Sequence, residues 1–146
     1  MPLNKTPTLI SELLKLKLID EPQISVLEDA AVKNKKDFGQ ILVESRIITD
    51  KDLVQLKSKL YRIPVIDLEV ADLDKSVLPE ISEDVVNFYK IAPFGKSEGV
   101  LKVAIINPEN IDALEALKFI AADKGLGLDK YVISYKDFDT IIKSYK

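Results

Sequence analysis

The sequence has no cysteine and no histidine. Without thiols there is no disulfide and no thiolate metal site, and nothing points to an oxidising compartment. Without imidazole, the commonest general base near neutral pH and the commonest zinc ligand are both missing. A serine or cysteine nucleophile with its histidine base is therefore excluded. No apolar run approaches the ~20 residues that a bilayer-crossing helix needs. The opening Met1-Pro2-Leu3-Asn4-Lys5 lacks the apolar centre of a signal peptide. These absences lead us to expect a soluble, cytosolic protein. An excess of positive charge is missing too: 21 Lys and Arg stand against 24 Asp and Glu, a net charge of -3. Phosphate backbones attract basic surfaces, so no nucleic-acid partner is expected. The local cluster Lys33, Lys35, Lys36 reads as a solvated loop.

What the chain does have is the balance of a globular protein, with 47% hydrophobic and 31% charged residues in 146 positions. Its most informative feature is an internal repeat at an offset of 29 residues. Leu9 maps to Phe38, Leu13 to Leu42, Leu14 to Val43, and Leu18-Ile19 to Ile47-Ile48. Further on, Ile24 maps to Leu53 and Leu27 to Leu56. Every pair is apolar in both copies. Each copy reads as a short helix, a tight turn and a second helix. Asp20 is the expected N-cap of one second helix, with Gln23 completing a capping box and Pro22 in the first turn. Thr49 is the expected cap of the other, and Asp50 and Asp52 suit its positive end. The stripes Ile24, Leu27, Ala31 and Leu53, Leu56, Leu60 follow helical spacing. One helical hairpin cannot bury its apolar face alone, but two can cover each other. The repeat predicts a four-helix subdomain over residues 8–62.

Pro64 ends the helical pattern, and residues 63–146 read as a small mixed α/β subdomain. Val65 to Leu68 is a strand candidate, and residues 69–81 read as an acidic connection with at most one helical turn. Ser82 is the expected cap of a helix carrying Val85, Val86, Phe88 and Tyr89. Ile91 to Phe94 reads as a strand near a sheet edge, because Pro93 removes a ladder donor. Gly95 to Gly99 is the expected turn, and Val100 to Ile106 the returning strand. A helix from Ile111 to Ala121, stopped by Gly125 and Gly127, leads to a strand at Tyr131 to Ile133. Ser134 then caps a last helix with Phe138, Ile141 and Ile142 facing inward. The fold class expected is α+β.

Candidate catalytic motifs mostly fail on spacing. Gly95-Lys96-Ser97 suggests a phosphate loop, but position 90 is lysine where a Walker A loop needs glycine. A strand, not a helix N-terminus, is also expected to follow. Gly125-x-Gly127 lacks a third glycine and a preceding strand, and reads as a helix stop. The pairs Asp67 with Glu69 and Asp72 with Asp74 lack a calcium-loop spacing and read as solvated acids. No catalytic residue, metal ligand or cofactor is expected.

The segment Phe38-Gly39-Gln40-Ile41-Leu42-Val43-Glu44-Ser45-Arg46-Ile47-Ile48-Thr49 resembles the repeated motif of N-terminal domains on type II secretion and type IV pilus assembly ATPases. Three later landmarks follow in the same order. They are Ile63 to Leu68, Tyr89 to Phe94, and Val103 to Pro108. The resemblance spans residues 8–145 and is to the domains called MshEN-type. It implies a domain that is itself not an enzyme, sits ahead of a P-loop ATPase core and couples that core to an inner-membrane platform protein. It also implies a location in the cytoplasm, peripheral to the inner membrane through partners. The closing lysine-rich segment would suit a linker into a following domain.

Some members of that family bind cyclic di-GMP through the two repeats, so a cyclic di-GMP sensor is the alternative reading. In that family each copy opens with Arg-Leu-Gly and has a second glycine before the central apolar pair. Here copy one opens Thr8-Leu9-Ile10 and copy two opens Asp37-Phe38-Gly39, while Lys17 and Arg46 stand at the later glycine. The resemblance carries over Leu9, Leu13, Phe38, Gly39, Leu42 and Arg46 as the ligand residues of the sensor reading. Lys36 and Arg46 are the cations available to offset Asp37. Without a ligand, the same apolar positions are simply core. An independent small enzyme is a third reading, which ATP turnover by the chain would reveal.

Overall fold

The structure, a computed structural model, describes residues 7–68 and 73–146. Four helices come first: α1 (Pro7–Lys15), α2 (Glu21–Asn34), α3 (Phe38–Glu44) and α4 (Asp50–Tyr61). The repeat has a physical cause in how α1 and α3 end. The Leu18 N–H donates to the Leu13 carbonyl and the Lys17 N–H to the Leu14 carbonyl, both at 3.0 Å. Ile47 and Arg46 make the same bonds to Leu42 and Val43, again at 3.0 Å. This is the Schellman motif, which needs a left-handed residue just past the helix and an apolar contact across the turn. Lys17 and Arg46 supply the left-handed residue, each with φ 61. Leu42 and Ile47 share the helical cluster as that apolar pair, whereas at the equivalent positions Leu13 is buried and Leu18 stays exposed. The next helix is then capped as expected. Asp20 accepts from the Gln23 N–H at 3.0 Å while Gln23 accepts from the Asp20 N–H at 2.9 Å. Thr49 Oγ1 accepts from the Asp52 N–H at 3.0 Å.

Leu9, Leu13, Ile19, Leu27, Leu42 and Leu53 are buried in one hydrophobic cluster of these helices. All the repeat positions pack in that cluster except Leu18, which is 37% exposed. The repeat is thus largely a packing unit.

The rest of the chain is a three-stranded sheet covered by helices. A six-residue 3-10 helix (Lys75–Glu80), longer than the at most one turn expected there, and α5 (Glu83–Tyr89) precede β1 (Ile91–Ser97) and β2 (Val100–Ile105). Then come α6 (Ile111–Asp123), β3 (Gly127–Val132) and α7 (Tyr135–Lys143). The strand order is β1-β2-β3, with β1 antiparallel and β3 parallel to β2. Pro93 lies on an edge strand, and the register shifts between Pro93 and Gly95. Ser82 and Ser134 cap α5 and α7 as expected. The core of this half includes Val86, Ile91, Leu101, Ile105, Leu117 and Ile141. The class is the expected α+β, and among the described residues no helix is long and apolar enough to cross a membrane.

Other local expectations are corrected. The turn is not Gly95 to Gly99: β1 runs on because Gly95, Lys96 and Ser97 pair with Lys102, Leu101 and Val100. The turn is only Glu98-Gly99, both left-handed at φ 53 and 77, the twist-matched geometry of a two-residue hairpin. Val65 to Leu68 forms no strand but a single parallel bridge, Val65 to Val132. Gly127 opens β3, four residues before the expected Tyr131, and only Gly125 (φ 67) takes the left-handed shape that stops α6. Of the acidic pairs, Glu69 and Asp72 lie outside the described residues. Asp74 accepts from the Ser76 N–H at 3.0 Å and caps the 3-10 helix.

Lys17 and Arg46 hold a backbone shape that costs a side-chain-bearing residue about 1 kcal/mol. Lys17→Gly and Arg46→Gly should each raise the stability measured by urea unfolding, by about 0.5–1 kcal/mol. Glu28→Gly, in the middle of α2, should lower it by about 1 kcal/mol.

Candidate functional site

The openings of the two repeats meet in one cleft of about 560 Å³. Leu9 and Ile10 reach it from α1, and Asp37, Phe38 and Gly39 from the start of α3. Asn107, Glu109, Asn110 and Asp112 close it from the β2–α6 connection and the first turn of α6. The residues expected to hold a ligand do not form one surface. Leu9, Phe38 and Gly39 line this cleft, whereas Leu13 and Leu42 are fully buried in the helical core. Arg46 is exposed and lines a different hollow, of about 830 Å³, with Leu16, Leu18 and Leu56.

Beneath the cleft runs a buried polar network. Lys57 of α4 is 2% exposed, the one charged residue buried among those described. Its Nζ donates at 3.0 Å to the Ile106 carbonyl and at 3.0 Å to Asn107 Oδ1. It also lies 5.6 Å from the centre of the Tyr135 ring, within cation–π range. The Asn107 amide donates to Asp37 Oδ2 at 3.0 Å, and the Tyr135 hydroxyl donates to the same oxygen at 3.5 Å. Burial pulls the Lys57 pKa down, and the carboxylates of Glu109, Asp37 and Asp50 push back. Burial first, then the Asp37 charge, raises the Tyr135 phenol far above its ordinary range. Glu109 Oε1 is buried with no hydrogen-bond partner among the described residues.

Gly39 is the second residue of α3, and a side chain there would have no room. A Cβ there would collide with the Tyr135 hydroxyl and lie 3.2 Å from Leu53 Cδ2. The close approach that a glycine permits is taken up by the protein's own tyrosine. Neither cation available to offset Asp37 reaches the cleft. Lys36 pairs with Glu44 at 2.8 Å, and Arg46 lines the other hollow. Among the described residues, the cleft is lined by three carboxylates and no lysine or arginine. The lysines of the 33–36 cluster are exposed as expected, but Lys33 lies in the last turn of α2 and Lys35 is its C-cap, so the cluster is a helix end and not a loop. Gly95-Lys96-Ser97 ends a strand that turns into another strand, so it cannot cradle a phosphate as a Walker A loop does.

The sequence model of the MshEN domain family matches residues 61–146, more than half of the chain. The chain belongs to the MshEN domain family. This MshEN domain is 26% identical over 133 residues to the type IV pilus assembly ATPase PilB of Myxococcus xanthus, 91% of this chain and 23% of that protein. It is 25% identical over 117 residues to PilB of Acinetobacter baylyi (80% and 20%), and 26% over 137 residues to PilB of Pseudomonas aeruginosa (86% and 24%). The chain spans about a quarter of the length of these relatives. Solved structures share its fold, two of them as follows. One is MshE with cyclic di-GMP, at TM-score 0.67 and 22% identity, covering 92% of this chain and 95% of that one. The other is the N-terminal domain of XpsE, at TM-score 0.69 and 15% identity, covering 99% and 97%. The motor core of an ATPase is not evident in this MshEN domain.

The sequence reading missed Lys57, Asn107, Asp50 and Tyr135. One signal was present: Lys57 lies four residues after Leu53 and three before Leu60, on the apolar stripe itself. In an ordinary helix, Gly39→Ala would stabilise by about 1 kcal/mol. Here it should cost about 1–3 kcal/mol by overpacking against Tyr135. Urea unfolding of Gly39→Ala, Tyr135→Phe and the double variant should show that most of this cost disappears once the hydroxyl is gone.

Proposed function

We propose that this MshEN domain is a non-catalytic docking and regulatory domain of a secretion or type IV pilus assembly ATPase. In this reading it works on the cytoplasmic side and couples the ATPase core of the same motor to an inner-membrane platform protein. Family membership and the PilB relatives support the setting. The observation that favours docking over sensing is the cleft where the repeat openings meet. A cyclic dinucleotide brings two phosphodiester charges. Asp37, Glu109 and Asp112 would face them, with no cation lining the cleft among the described residues. Each such like-charge pair at about 4 Å costs about 1 kcal/mol even in water, and more where water is excluded. The arginine of the family pattern could stack on guanine or pair with phosphate, and neither copy has it.

The second reading, a cyclic di-GMP sensor, draws on MshE, which has the same fold and was solved with cyclic di-GMP. The meeting of both repeat openings in one cleft supports it, and the carboxylates oppose it.

Two calorimetric titrations separate the readings. Cyclic di-GMP should give no saturable heat, and no rise in Tm, up to millimolar concentration. The cytosolic domain of the motor's platform protein should bind saturably. Micromolar binding of the dinucleotide would make the sensor reading the correct one. Absence of binding to the platform domain would overturn docking. Appreciable ATP turnover by the isolated chain would overturn the non-catalytic reading.

A further inference from the structure

Beyond Asn110 and Asp112, which the cleft and a neighbouring groove share, lies an exposed aromatic surface that none of the preceding chemistry uses. Phe88 on α5 is 75% exposed and Phe119 on α6 is 74% exposed. Both line one open groove of about 930 Å³, with Tyr89, Ala116 and Ile120. The Phe88 and Tyr89 rings meet edge to face at 4.8 Å, which stiffens that wall. Isolated exposed apolar residues are ordinary, but aromatics converging on one groove mark an interaction surface.

The charge around the groove selects its occupant. Asp112 and Glu115 line it, and among the described residues no lysine or arginine does. Each phenylalanine also follows a carboxylate by one helical turn, Asp84 before Phe88 and Glu115 before Phe119, so acid and aromatic share a helix face. Lys118 on the neighbouring face approaches Glu115 at 3.8 Å, with both side chains about 70% exposed, too solvated to cancel the rim charge. An anionic lipid surface would be repelled. A helix with an apolar stripe between lysines or arginines matches both the floor and the rim.

We propose that the groove between α5 and α6 is the docking site for a basic amphipathic helix of the partner. The proposal rests on the docking reading for the existence of a partner, and adds where the partner binds and with what chemistry. Binding would bury the two phenylalanines as anchors and leave the carboxylates at the rim to steer approach.

The test uses fluorescence anisotropy with two synthetic helices that share one leucine stripe, one flanked by lysine and one by glutamate. The lysine helix should bind saturably and at least tenfold more tightly than the glutamate helix. Raising salt should weaken it. Phe119→Ser with Phe88→Ser should reduce binding at least tenfold, with an unchanged circular dichroism spectrum showing that the fold persists. Asp112→Asn with Glu115→Gln should reduce it severalfold. Equal affinity for the two helices, no binding of either, or binding unaffected by the serine variants would overturn the proposal. So would concentration-dependent dimerisation of the domain that the serine variants abolish, since the groove would then belong to a second copy. If the platform domain still binds the serine variants at full strength, this groove is refuted while the docking reading stands.

Discussion

Lys57 extends from α4 across the junction between the helices and the sheet, and its ammonium is almost wholly removed from water. A buried charge is tolerable only when it is hydrogen-bonded and paired. Two hydrogen bonds come from the other half of the chain, through the Ile106 carbonyl and Asn107. The compensating charge comes from Glu109 in the β2–α6 connection, Asp37 at the N-cap of α3 and Asp50 at the start of α4. Satisfying one ammonium group therefore fixes the end of β2, the start of α3 and the start of α4 relative to one another. The same requirement explains the acidic cleft. Asp37 is one of the charges that face Lys57, and an arginine at that position would set a second cation against it.

Asp50 and Tyr135 extend the same joint. Asp50 receives the Tyr135 and Lys136 N–H groups at 3.0 Å each, so an acid from α4 caps the positive end of α7. Tyr135 packs against the hydrophobic clusters of both halves. Its hydroxyl fits over Gly39 because that residue has no side chain. The joint leaves the groove between α5 and α6 untouched, so an interaction surface there need not disturb the fold.

The parts of the fold that were legible in the sequence are those set by bonds between near neighbours. A Schellman turn links residues five apart and a capping box residues three apart, so the repeat, the caps at Asp20 and Thr49, and the alternating β2 could all be read directly. Where sequence reading failed, the partner was remote. Val65 to Leu68 has strand composition, yet only Val65 finds a bridge, to Val132. The extent of β1 was set by β2, not by the glycine at 95. The polar joint links residues 49 to 98 positions apart, and no local pattern encodes it. Lys57 on an apolar stripe was its only trace. The apolar positions assigned to a ligand, Leu13 and Leu42, obeyed the same periodicity as core.

The measurement that tests this account most directly is urea unfolding of Lys57→Met, followed by both circular dichroism and amide hydrogen exchange. Methionine keeps the apolar stem but removes the charge, leaving Asn107 Oδ1 and three carboxylates without their cation. The variant should lose about 3 kcal/mol, with amides of α1 to α4 exchanging before those of the sheet. A variant as stable as the parent, with the two halves still protected to the same degree, would contradict this account.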